Sequence, residues 1–215
     1  AEPGADEERR GRGFPLCSNA DAVVRCFSIA AVTLLCSGLR MTVEEHKIHA
    51  PKSVACFVLT VSDSRDQATD YSGALIQELL AANGHEIVGY ALVKDEPAEI
   101  TGVLRACLAA RTIQVVIISG GTGIAARDGT YEVVSALLEK RLDGFGELFR
   151  FLSFQEIGAR AILSRATAGV SRGRFVAALP GSPRAVELAV RKGLVPTLEH
   201  AVSLLSGRGK HGGGH

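Results

Sequence analysis

The 215-residue chain is 47% apolar and 22% charged, proportions of one globular domain with extensions rather than of a disordered or collagen-like polypeptide. Its 24 Lys and Arg against 23 Asp and Glu leave a net charge of +1, so no overall field favours nucleic acid or an anionic membrane surface. Five cysteines, with no C-x-x-C pair and no histidine at zinc-finger spacing, imply neither a disulfide framework nor a zinc site.

Residues 1–13 are charged and Gly-rich without hydrophobic periodicity, and residues 27–35 form an apolar run behind Arg25 and ahead of Cys36, Ser37 and Gly38. The run imitates a signal peptide, is too short to span a membrane, and has Leu35 where lipoprotein cleavage wants a small residue. Met41 is the one methionine and the expected natural start. Residues 1–40 are therefore read as an N-terminal extension, 41–51 as a linker, 52–206 as an α/β domain and 207–215 as a solvated Gly/His tail. Cys56 and Cys107 fall on apolar runs, where a reduced thiol acts as a small hydrophobe, so a cytoplasmic location is expected.

Residues 53–61 (SVACFVLTV) form a continuous apolar, β-branched run, the pattern of a strand buried on both faces. Tyr71–Ala82 places Leu75, Leu79 and Leu80 at helical spacing and closes on Asn83-Gly84, a C-terminal cap signal. Glu86–Val93 reads as the second strand. Pro97 suits a first helical turn, and Ile100, Leu104 and Leu108 extend it as an amphipathic helix. Residues 113–119 (IQVVIIS) supply the third strand. Strand, helix, strand, helix, strand with short links implies an α/β fold with parallel strands and right-handed crossovers.

The second half is less regular. Residues 131–140 and 145–158 read as helices, 175–179 as a short strand ending at Pro180-Gly181, and 183–193 and 196–205 as closing helices. Phe145 and Phe149, like Leu148 and Leu152, share a helix face. Core packing is the favoured use of these aromatics over a subunit interface, although they serve both.

Three polar segments follow directly on predicted strands: Ser62-Asp63-Ser64-Arg65, Lys94-Asp95-Glu96 and Gly120-Gly121-Thr122-Gly123. In open parallel sheets ligands bind beyond the carboxyl ends of the strands, so these segments should converge on one crevice. Glycines at 120, 121 and 123, just after Ser119, permit a sharp turn and close approach of backbone N–H groups to an anion; Gly121 is the expected point of closest approach to phosphate. The loop is neither G-x-x-x-x-G-K-[ST] nor G-x-G-x-x-G, and a structural turn is the plainer use of such a sequence. Arg127 and Asp128 follow within five residues, a guanidinium to clamp phosphate and a carboxylate to hold Mg²⁺. Asp95 and Asp63 sit at neighbouring strand ends, and several carboxylates around phosphate call for a cation. Helix N-capping is the alternative use of both Asp128 and Asp95.

Eight short motifs in order then resemble the MoaB/MogA family of molybdenum cofactor biosynthesis. They are TVSDSR at 60–65, DYSG at 70–73, VKDE at 93–96, SGGTG at 119–123, RDGT at 127–130, LDGFGELFR at 142–150, LSRATAG at 163–169 and LPGSPRAV at 179–186. The resemblance implies a three-layer α/β domain with a mostly parallel sheet and helices on both faces, assembled as a trimer or hexamer. It implies molybdopterin as ligand, other molybdenum cofactor biosynthesis proteins as partners, and, in the MogA branch, adenylylation of molybdopterin by Mg-ATP. On that reading Asp95 and Asp128 hold Mg²⁺ and are the catalytic acids. Ser119, Gly120, Gly121, Thr122, Gly123 and Arg127 cradle nucleotide phosphate, while Asp63, Ser64, Ser164, Arg165, Pro180, Gly181 and Ser182 lie towards the pterin. The family's usual Pro after R-D-x-T is Tyr131 here. A non-catalytic molybdopterin-binding protein of the MoaB branch and a CinA-type nucleotide pyrophosphatase, whose loop matches less well, are the alternatives.

Overall fold

A computed structural model describes residues 52–207. The signal-like run, Met41, Cys17, Cys26, Cys36 and the tail beyond Gly207 lie outside the described residues. Among those described, no helix is long and apolar enough to cross a membrane, and Cys56 and Cys107 are buried free thiols.

Six strands form one sheet in the order β2-β1-β3-β6-β5-β4. The strands β1 (Ala55–Val61), β2 (Glu86–Val93), β3 (Val115–Ser119) and β6 (Arg174–Leu179) pair in parallel, as the apolar runs in the sequence imply. The edge is different. There β5 (Thr167–Ser171) pairs antiparallel to β6, and the two-residue β4 (Lys140–Arg141) antiparallel to β5.

Alternation along the buried strands divides the core in two. Cys56, Val58, Val115, Ile117, Ala177 and Leu179 point to one face, where α1 (Tyr71–Ala82), α4 (Asp143–Ile157), α5 (Pro183–Ala189), a π-turn (Val190–Leu194) and α6 (Leu198–Leu205) pack. Leu59, Val61, Val116, Ile118 and Ala178 point to the other, under α2 (Pro97–Ala109) and α3 (Thr130–Leu137). This is the three-layer arrangement with a mostly parallel sheet. Local signals start the helices: the Asp70 carboxylate accepts the Gly73 N–H at 3.0 Å, and Pro97 and Pro183 occupy first turns.

Two sequence expectations are corrected. The helix expected over 131–140 ends at Leu137, because the Glu139 N–H donates to Val170 O at 2.8 Å and draws Lys140 into the edge strand. Aromatic packing on α4 is also divided. Phe149 is buried and Phe145 packs against the same core, whereas Phe151 and Phe154 are 63% and 60% exposed. After α4, Gly158 takes a positive φ of 63° and opens a 3₁₀ segment (Gly158–Leu163).

Candidate active site

The sheet order reverses between β1 and β3, since β1 has β2 on one side and β3 on the other. Register pairs Val61 with Val93, Thr60 with Ser119 and Ser119 with Leu179, so the carboxyl ends of all four parallel strands share one edge of the sheet. A cleft of about 470 Å³ opens there. The β1 end contributes Ser64, the β3 end Gly120, Gly121, Thr122 and Gly123, and the β6 end Pro180, Gly181 and Ser182. Asp128 and Ser164 also line it. Sequence position alone therefore brings ten of the expected residues to one cavity.

The glycine loop turns with φ of 104° at Gly120 and 62° at Gly121, a region that favours glycine. Gly120 packs against the Val61 carbonyl, leaving no room for a Cβ. At Gly121 a Cβ would lie 2.5 Å from Asp95 Oδ2 and closer still to the Thr130 hydroxyl. Its missing side chain makes room for the Asp95 carboxylate beside the loop. The Thr130 N–H donates to Gly121 O at 3.0 Å, tying the loop to the start of α3.

Asp95 is buried, 6% exposed, at the end of β2. Its Oδ1 accepts the Gly129 N–H at 3.1 Å, and its own N–H donates to Asp63 Oδ1 at 3.1 Å. Burial pushes its carboxyl above the ordinary range, and the Asp128 and Asp63 charges add to that push against the lowering effect of the Gly129 hydrogen bond. Asp128 Oδ2 accepts the Ala125 N–H at 2.9 Å, closing the 125–128 turn. Neither acid caps a helix: Gly129 and Glu96 occupy the N-cap positions of α3 and α2, without side-chain cap bonds.

Arg127 is engaged elsewhere than at the mouth of the loop. Its Nε donates to Asp63 Oδ2 at 2.9 Å and its Nη2 pairs with Glu96 Oε1 at 2.7 Å. The Arg127 hydrogen bond holds the Asp63 carboxyl below its usual range. Asp63 does not line the cleft; it links Arg127 to the Asp95 backbone. The guanidinium that does line the cleft is that of Arg65, the last residue of the TVSDSR motif, for which the sequence suggests no role. Its Nη1 donates to Ser72 Oγ at 3.1 Å and Gly181 O at 3.2 Å, and lies 3.7 Å from Asp70 Oδ1. Arg65 thus joins the β1 and β6 loops.

Arg165 braces the glycine loop from behind. Its Nε donates to Thr122 O at 3.3 Å, and its Nη atoms bond Gly123 O and the Glu132 carboxylate. Its guanidinium stacks over the Tyr131 ring, 4.7 Å from the centroid, so the residue standing in place of the family's proline serves as a platform. Ser119 and Thr130 are fully buried, and their hydroxyl oxygens have no partner among the described residues.

The donor set tests what cation fits. No group of three or more His, Cys, Asp or Glu is placed to hold a metal among the described residues. Asp95 Oδ2 and Asp128 Oδ2 each stand where a Cβ on Gly121 and on Gly123, respectively, would meet them at 2.5 Å, so the glycine loop is flanked by two hard oxygen donors. That pair suits Mg²⁺ arriving with phosphate oxygens, which needs only one or two protein carboxylates.

The family model described as "Probable molybdopterin binding domain" matches residues 57–200, from within β1 to within α6. The chain belongs to this family. All the loops of the molybdopterin-binding domain that form the cleft fall inside the matched span. A curated relative, molybdenum cofactor biosynthesis protein B of Halalkalibacterium halodurans, is 50% identical over 163 residues, covering 75% of this chain and 96% of the relative. A crystal structure of a molybdenum cofactor biosynthesis protein B is 46% identical with a TM-score of 0.71, covering 73% of this chain and 98% of the other. The Mog protein of Mycobacterium ulcerans is 26% identical with a TM-score of 0.65, covering 71% and 99%. The mixed six-stranded sheet is thus the fold of both branches.

Proposed function

We propose that this chain acts in molybdenum cofactor biosynthesis and transfers AMP from Mg-ATP to the phosphate of molybdopterin. A molybdopterin phosphate oxygen forms the new bond to the α-phosphorus, the bridge to the β-phosphate breaks, and pyrophosphate leaves with the electron pair. The observation that carries the reading is that the glycine loop of the switch-point cleft is flanked by two acids, Asp128 lining the cleft and the buried Asp95 packed against Gly121, in a chain half identical to a cofactor biosynthesis protein. Mg²⁺ held by these two acids would supply charge neutralisation on the nucleotide phosphates.

The protein's own part is positioning. Phosphoryl transfer needs little covalent help, so fixing two anionic substrates against each other is the main contribution. The Gly120 N–H is held by Leu179 O at 3.1 Å, so the backbone N–H groups of residues 121–123 meet nucleotide phosphate, and Arg65, Ser164 and Ser182 present polar groups to the second substrate across the cleft. Asp63 holds Asp95 by its backbone and keeps Arg127 beside the acids as a counter-charge. The proposal includes self-association through the outer face of α4, and the buried free thiols Cys56 and Cys107 suit a reducing cytoplasm.

Asp95→Ala and Asp128→Ala are each expected to abolish pyrophosphate release from molybdopterin and Mg-ATP while circular dichroism shows a folded protein. Wild-type turnover at limiting Mg²⁺ in either variant would remove that acid from the role. The second reading is a protein that binds molybdopterin without turnover. The observation favouring it is that Arg127 is held by Asp63 and Glu96 rather than turned to the cleft. Under that reading the wild-type chain itself releases no pyrophosphate.

A further inference from the structure

We infer that a second pocket, which meets the cleft at Ser164, is a binding subsite for a phosphate-class oxyanion. The pocket has a volume of about 280 Å³ and draws on separate segments of the chain: β4, α4 and the approach to β5. Three guanidinium groups line it, those of Arg141, Arg150 and Arg165, together with the side chains of Tyr131 and Thr167.

Two of the three charges are already answered. Arg141 lies 3.2 Å from Asp143 Oδ1, and Arg165 pairs with Glu132. Arg150 has no ion pair among the described residues. It is half-buried, and its one hydrogen bond runs from Nη1 to Ser164 O at a long 3.4 Å. The side chain folds back over its own helix. An added Cβ at the buried Gly146 would come 3.0 Å from Arg150 Nη1 and 2.6 Å from Ala166 O, so glycine at 146 is what lets the guanidinium lie against the backbone. The pocket's two carboxylates, Asp143 and Glu147, are both on exposed residues.

A guanidinium drawn partly out of water with most of its N–H groups unmatched is a site for an anion, and its planar fork suits two oxygens of one group. The small volume and predominance of charged and hydroxyl-bearing walls favour a compact tetrahedral oxyanion over an apolar ligand. Placement adds a link to the main cleft. Ser164 lines both cavities, and Arg165 lines the pocket while bonding Thr122 O and Gly123 O of the glycine loop. The subsite requires neither nucleotide nor adenylyl transfer, so it stands or falls separately from that reaction.

Inorganic phosphate titrated into the full chain, without Mg²⁺ or nucleotide and at low ionic strength, tests the inference by calorimetry and by the NMR signal of the Arg150 Nε–H. The expected result is saturable binding at one site per chain with a shift of that signal. Arg150→Gln, which keeps a donor for Ser164 O and removes the charge, should weaken binding about tenfold or more, and Arg150→Lys should weaken it less. A saturating non-hydrolysable Mg-ATP analogue should leave the phosphate affinity unchanged. Absence of saturable binding, wild-type affinity in Arg150→Gln, or displacement of phosphate by the analogue would each overturn the subsite. So would a stationary Arg150 signal at saturation in the unmodified protein, a readout that needs no variant to fold.

Discussion

Asp95 carries the electrostatic cost of the site. Its carboxyl is pushed above the ordinary value of 3.8, first by burial and then by the Asp128 and Asp63 charges. A folded-state pKa above the unfolded one means that the folded chain binds the proton more tightly. The associated stabilisation is complete below about 3.8 and is lost as pH rises through the raised value. At neutral pH the ionised group therefore works against the fold. Asp95→Asn retains an acceptor for the Gly129 N–H and removes the charge, so it should raise the melting temperature at pH 7 by about 2–4 °C for each kcal/mol recovered. The gain should vanish in acid melts, and Mg-dependent ATP binding should be lost at the same time. Equal melting temperatures for variant and wild type at both pH values would show that Asp95 is not a strained acid.

At the scale of elements, the glycine loop shows how a local motif acquires its meaning from a distant strand end. Gly121→Ala places a methyl group against Asp95 Oδ2 and forces a side chain into φ of 62°, a conformation costing about 1–2 kcal/mol for an L-residue. The expected outcome is a lower melting temperature together with weaker Mg-ATP binding, because the displaced group is itself the acid. Unchanged stability and affinity would mean that the loop relaxes without disturbing Asp95. The strands β1, β2 and β3 were legible because apolar, β-branched runs have few other uses, and the loops after them inherit their positions from parallel topology. The antiparallel edge was not legible: β5 is built from small residues around Gly169, and β4 is two charged residues long. Small residues are needed there, since a Cβ at Gly169 would meet Leu138 Cδ1 at 2.8 Å. Which arginine faces the cleft was equally hidden. Asp63 and Glu96 hold Arg127, and Arg65 reaches Gly181 O, through contacts that no spacing along the chain reveals.

Over the whole molecule, helices cover both faces of the sheet, yet α4 and the 3₁₀ segment after it leave apolar side chains outside. Leu148, Phe151, Phe154 and Ile162 are 46%, 63%, 60% and 79% exposed. Burying a large apolar side chain fully contributes about 1.5–3 kcal/mol, so these side chains are where the proposed self-association would gain its driving force. Analytical ultracentrifugation should find the chain oligomeric, and Phe151→Glu with Phe154→Glu should shift it to a folded monomer. A monomeric wild type, or an unchanged oligomer in the double variant, would place the interface elsewhere or remove it. The proposed adenylyl transfer breaks ATP between its α- and β-phosphates. Single-turnover reaction of the full chain with molybdopterin and ATP labelled separately at the α- and γ-phosphates reads this directly. Adenylyl transfer puts the α-label in a molybdopterin–AMP product and the γ-label in an equimolar amount of pyrophosphate; ADP and inorganic phosphate, or ATP bound and recovered intact, would contradict that transfer.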